Sequence, residues 1–224
     1  MIRTGKEVIS ASVIVGLLFV TLFSGFEAQS TSAASAEDQF TIDQTITSEI
    51  SFATAAGNVT MNPSLGGLTG GTSTGETHVN VLTNDTAGYT MTIKASSSPA
   101  MQGTTQSEDI ADYTPATAGI PDFNYSVPTN FEFAYTISAS TTADLAQKFK
   151  DDTSVCNAGS ADTNASSTCW YGLSTTATST IVRSSATSLN GATTTIFFRL
   201  TVNPNTSPVE DIYRATTTFT ATTN

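Results

Sequence analysis

Three stretches of this 224-residue chain alternate apolar or aromatic residues with threonine, and that alternation constrains the fold more than any other feature. In Gly88-Tyr-Thr-Met-Thr-Ile-Lys-Ala95, Tyr89, Met91 and Ile93 point one way and Thr90, Thr92 and Lys94 the other. Thr193-Thr-Thr-Ile-Phe-Phe-Arg-Leu-Thr-Val202 and Tyr213-Arg-Ala-Thr-Thr-Thr-Phe-Thr-Ala-Thr222 repeat the pattern. A period of two marks a strand with one buried face, and branched and aromatic side chains suit a pleated sheet. Charged residues are only 12% of the chain, too few for the charge-laced faces of surface helices. The predicted fold is therefore all-β: an antiparallel β-sandwich with a loop-rich insertion, at about residues 99–190, containing one short helix.

The same composition excludes functions. A net charge of −11 repels phosphate, so nucleic acid is not an expected partner. One histidine and two cysteines give no zinc-site spacing. The Gly-rich Pro63–Gly75 stretch lacks the lysine and spacing of a phosphate-binding loop and reads as a flexible turn. No GxSxG elbow accompanies His78, which reads as a surface histidine beside Glu76. No enzyme activity and no cofactor are expected.

The N-terminus sets the compartment. Arg3 and Lys6 precede an uncharged apolar run from Val8 to Phe26, and Ala34-Ser35-Ala36 offers small residues for cleavage before Glu37. Thr31-Ser32-Ala33 is a second candidate site. Residues 1–36 read as a signal peptide or, because the run approaches the about 20 residues that span a bilayer, as an uncleaved N-terminal anchor. The sandwich domain is then 37–224, extracellular or at the cell surface, touching a membrane only through the N-terminal segment. In that compartment Cys156 and Cys169 form one disulfide, closing a polar loop at a gain of about 3 kcal/mol in the chain-entropy model.

Along the chain, residues 37–61 alternate and read as half-buried strands, with Phe40, Ile42, Ile46, Ile50 and Phe52 as their apolar positions. His78–Leu82 and Gly88–Ala95 read as a hairpin across Thr83–Ala87. Phe131–Ile137 reads as a strand. Thr142–Lys150 reads as the one helix, with Leu145 and Phe149 four apart on one face. The strand from Tyr213 closes a sheet and leaves no room for a sorting signal after it.

Two strands resemble the WxL domains of Gram-positive cell walls, whose early strand runs GWxLxVxA and whose final strand runs YxATLTWTL. Gly88–Ala95 resembles the first and Tyr213–Ala221 the second, with Tyr89 and Phe219 standing for the tryptophans and Met91 and Ala221 for the leucines. The resemblance implies a β-sandwich, surface exposure and peptidoglycan binding. The middle of the chain is similar to uncharacterised exported bacterial proteins through Ile110–Pro115, Ile120–Val127, Thr142–Asp151 and Cys169–Gly172. That likeness implies no activity.

The remaining candidates are few. Tyr113, Phe123, Tyr125, Trp170 and Tyr171 lie in the irregular middle, where aromatic faces either stack on a ligand or form a satellite core under the insertion. No metal is expected; Glu108, Asp109 and Asp112 are the loose calcium candidates, without the spaced carboxylates of a dedicated loop. The expected role is a non-catalytic, envelope-associated binding or structural module. Its partners would be cell-wall polymer or neighbouring surface proteins, self-association included. The alternatives are a self-assembling pilus, filament or surface-layer subunit and, behind it, a secreted glycan hydrolase. The scarcity of lysine on the strands favours edge-to-edge contact.

Overall fold

The structure is a computed structural model that describes residues 35–127, 130–163 and 166–224. The chain divides into two units, one up to Thr45 and one from Ile46 onward. The expected signal or anchor falls on residues almost wholly outside those described. In the first unit, residues 35–45 carry no helix or strand and are exposed. Among the described residues no helix is long and apolar enough to cross a membrane.

The second unit is nearly all-β. Its strands are β1 (Ile50–Thr54), β2 (Gly71–Thr83), β3 (Tyr89–Ala95), β4 (Met101–Gly103), β5 (Asp109–Asp112), β6 (Phe131–Ala139), β7 (Thr178–Arg183), β8 (Ala192–Val202), β9 (Tyr213–Ala215) and β10 (Thr217–Thr223). One sheet has the order β1-β2-β8-β6-β5-β4-β9 and the other β10-β3-β7. All pairings are antiparallel except β5 with β6. Alternation decides what faces the core. Val79 and Val81, Ile196 and Phe198, and Phe133, Tyr135 and Ile137 come from the large sheet, and Tyr89, Met91, Ile93 and Ile181 from the small one. Each such side chain contributes about 1.5–3 kcal/mol by leaving water.

The sandwich is as expected, while several elements differ. β2 and β3 are not a hairpin, because they lie in opposite sheets. Both need the same core, and the connection carries the chain across it. Gly88 completes that turn at φ 83°, where an added Cβ would lie 2.1 Å from the Arg183 carbonyl oxygen. The Gly-rich stretch is a loop only as far as Gly70; from Gly71 it is strand, paired from Gly71↔Val202 to Val81↔Ala192. Residues 37–61 yield only β1. Val59 and Met61 pack on the core without pairing as a strand, and Phe40, Ile42 and Ile46 stand in solvent.

The expected helix is two single 3₁₀ turns, Thr142–Asp144 and Gln147–Phe149. Between them Leu145 and Ala146 are extended, and the Ala146 N–H donates to the Thr180 carbonyl of β7 at 2.8 Å. A two-turn helix is marginal by itself, so pairing with a strand edge and burial of Leu145 and Phe149 override it. The stretch 99–190 does more than decorate the sandwich: it supplies β4–β7, and β6 is a central strand buried on both faces.

Candidate functional site

The outer face of β6 explains the aromatics. Ala134 and Thr136 point away from the main core, and the chain folds back over them. The Thr136 hydroxyl donates to the Thr168 carbonyl at 2.7 Å, and the Tyr171 and Tyr135 backbones exchange bonds at 2.9 Å. The Cys156–Cys169 disulfide forms as expected and lies within the main core. Gly172 is obligatory here, since a Cβ would sit 2.1 Å from the Tyr113 carbonyl oxygen.

Tyr113, Val127, Ala134 and Trp170 make a satellite core, with Tyr125 and Phe197 against it. Ring centroids are 4.9 Å apart for Tyr113–Tyr125 and 5.4 Å for Tyr125–Trp170, and the Arg199 guanidinium lies 4.8 Å from the Tyr125 ring. The Tyr113 hydroxyl donates to Asp122 at 2.7 Å and that of Tyr125 to the Glu132 carbonyl at 2.6 Å. Burial pushes the Tyr125 phenol up to about 12 and moves Tyr113 further still. Trp170 is 1% exposed. Phe123 and Tyr171 pack instead on the main core, with the Lys148 ammonium 4.4 Å from the Tyr171 ring. The five aromatics thus split between two cores. As placed, Tyr113 and Trp170 do not present open faces for stacking.

Beside the satellite core the large sheet has a shallow groove of about 460 Å³, lined by Thr74, Gly75, Glu76, Ser166, Trp170, Phe197 and Phe198. Its neighbours on β2 and β8 are bonded across the strands, His78 Nδ1 to the Thr195 hydroxyl at 2.9 Å and Thr72 to Thr201 at 3.0 Å. Sequence reasoning missed this groove. Two adjacent phenylalanines in an alternating strand, Phe197 and Phe198, require one ring on each face, and that signal was available.

The acidic candidates do not converge. Glu108 accepts from the Val209 N–H and, at 2.8 Å, from the Tyr213 hydroxyl, whereas Asp112 accepts from the Ala100 N–H at 3.1 Å. Among the described residues no group of three carboxylate, histidine or cysteine side chains could hold a metal ion. The carboxylate with most donors is Asp211. It gathers the Thr105 and Gln106 N–H groups and the Thr104 and Thr105 hydroxyls, and these hold it far below the usual range.

The strand edges are the other candidate surface. Each sheet has two, and three of the four are blunted. β9 has three residues; β1 is interrupted by a register shift between Phe52 and Thr54; β7 is met by the Leu145–Ala146 segment. β10 has seven residues, unbroken register with β3, and no charge or proline. The Ser96 N–H donates to the Thr216 carbonyl and the Asn224 N–H to that of Gly88, so the even-numbered residues bond to β3. The N–H and C=O groups of Thr217, Phe219, Ala221 and Thr223 consequently face away from β3, and among the described residues they join no strand pairing, although β1 lies beside β10 with Cα atoms within 8 Å. Their side chains point at the core, yet Phe219 and Ala221 are only partly buried, while Met91 and Ile93 opposite are fully so.

No family model matches the chain, and no curated protein matches it significantly.

Proposed function

We propose that this protein is a non-catalytic, exported structural module of the cell envelope that assembles with its neighbours through a strand edge. The single observation that carries this reading is the edge of β10, whose outward backbone groups join no strand pairing among the described residues. Sheet edges of monomeric proteins are shortened, bulged, covered or charged because unpaired backbone groups template association. Here three edges carry such devices, while β10 is long and neutral and, among the described residues, has β1 beside it without a strand pairing. The disulfide fits an oxidising compartment outside the cytoplasm. Membrane contact is assigned only to the N-terminal segment, as are export and anchoring.

Binding of wall polymer is the second reading, favoured by the groove in which Phe197 lies beside Thr74 and Glu76. One experiment weighs both. The exported chain is sedimented alone across the micromolar range, then with purified sacculi and serum albumin as control. Concentration-dependent oligomers in the absence of sacculi are expected. A monomer that pellets specifically with sacculi would replace assembly with polymer binding.

A further inference from the structure

We propose that the groove beside Phe197 binds a sugar that carries a carboxylate, with Arg199 receiving that carboxylate; this narrows the polymer-binding reading to an acidic glycan, rests on it, and is independent of assembly. Arg199 lies on the outer face of β8, opposite Thr74 of the groove in the β2–β8 register. Its guanidinium stands 5.7 Å from the Trp170 ring as well as 4.8 Å from that of Tyr125. The rings hold the cation in place, but its Nε is buried without a hydrogen-bond partner. So is the indole Nε1 of Trp170, beside it. Two orphaned donors in one place leave this end of the groove short of acceptors. The ion pairs among the described residues join Arg183 to Asp144 and His78 to Glu76, and neither includes Arg199. Its charge is therefore unneutralised, in a chain of net charge −11.

Charge complementarity and the bonding of the sheet select the occupant. A guanidinium fork pairs with a carboxylate or a phosphate. Glu76 is exposed on the same face of β2, two residues or about 6.7 Å beyond Thr74, and its charge disfavours a doubly charged group. A single carboxylate meets Arg199 with less repulsion. The rest of the ligand would face the Phe197 ring, which is only partly buried, and the hydroxyl side chains of Thr74 and Ser166. That surface suits the apolar face and hydroxyl rim of a sugar ring. A peptide strand is disfavoured: β2 and β8 are paired throughout the groove floor, and Thr74 bonds on its other side to Asn62, so no backbone edge is offered there.

Trp170 is the only tryptophan of the chain, so its emission reports binding at this place. The full-length protein is titrated with tri-galacturonate and with its methyl ester, the same sugar chain with and without charge, by calorimetry and by Trp170 emission. The acid is expected to shift the emission and to bind at least about tenfold more tightly than the ester. Arg199→Gln should erase that preference. Glu76→Gln, at an exposed position, leaves Arg199 in place and should tighten the acid severalfold, which keeps the proposal testable even where Arg199→Gln loses its fold. The proposal is overturned by no saturable binding of the acid, by equal affinities for acid and ester, or by a preference that survives Arg199→Gln. Weaker acid binding in Glu76→Gln, or tighter binding of inorganic phosphate than of the acid, would overturn it as well. If the protein still pellets with sacculi, only this inference fails; if it does not, the polymer-binding reading fails with it.

Discussion

Asp112 and Asp151 carry the same side chain in opposite surroundings. Burial pushes Asp112 up to about 6, only partly offset by the Ala100 N–H. Burial would also raise Asp151, but bonds from the Thr163 hydroxyl and from the Thr163 and Thr153 N–H groups outweigh it and leave it below the usual range. The signs of their pH effects therefore differ. Folded Asp112 keeps its proton between about pH 4 and 6 while the unfolded chain loses it, so its contribution is greatest below pH 4 and is lost as pH rises through 6. Asp151 contributes above about pH 4, and that is lost as pH falls through its lower folded value. Asp112→Asn removes the first effect without changing shape. The variant should lose less stability between pH 4 and 7 than the wild type, read from urea midpoints at each pH; parallel curves would refute the assignment. At this scale the disulfide was legible, since two cysteines in a chain read as exported have one partner each. The roles of Asp112 and Asp211 were not. Asp211 orders the 104–106 turn from a hundred positions away, and no local pattern records such a partnership.

Elements were legible where alternation was strong and neighbours were not needed to interpret it. β3, β6, β8 and β10 fall where Thr alternates with apolar residues or aromatics cluster. The helix failed because a strand edge competed for its backbone, and the hairpin failed because periodicity says which face is buried but not which sheet a strand joins. That same backbone logic gives β10 a specific test. The Ala221 N–H faces away from β3, whereas the Thr220 N–H bonds to β3. Proline at 221 thus removes a donor only from the side away from β3, while proline at 220 breaks the ladder. Ala221→Pro should abolish self-association in sedimentation velocity with little change in thermal midpoint. Thr220→Pro should destabilise the fold by about 1–3 kcal/mol, the cost of breaking a ladder bond and leaving its acceptor unpaired. Equal loss of stability in the two would mean that the far edge of β10 is already paired.

At the scale of the whole molecule, charge opposes the proposed assembly. The sandwich class followed from the sequence, but the division into seven strands and three did not, and among the described residues it leaves β10 without a paired strand on its outer side. Two copies at −11 each must approach to use it. With centres about 30 Å apart they repel by on the order of 5 kcal/mol at 0.01 M ionic strength, where screening extends about 30 Å, and by well under 1 kcal/mol at 0.15 M, where it extends about 8 Å. Attraction between exposed partners such as a carboxylate and Lys94 is generally worth at most about 1 kcal/mol, so at low salt repulsion wins. Association should weaken on the order of a thousandfold when salt falls from about 0.15 to 0.01 M, measured by sedimentation at fixed pH. A protein held together by its charge pairs would show the opposite slope. The expected sign separates a contact made by backbone bonds and apolar side chains, which screening leaves intact, from one made by charge.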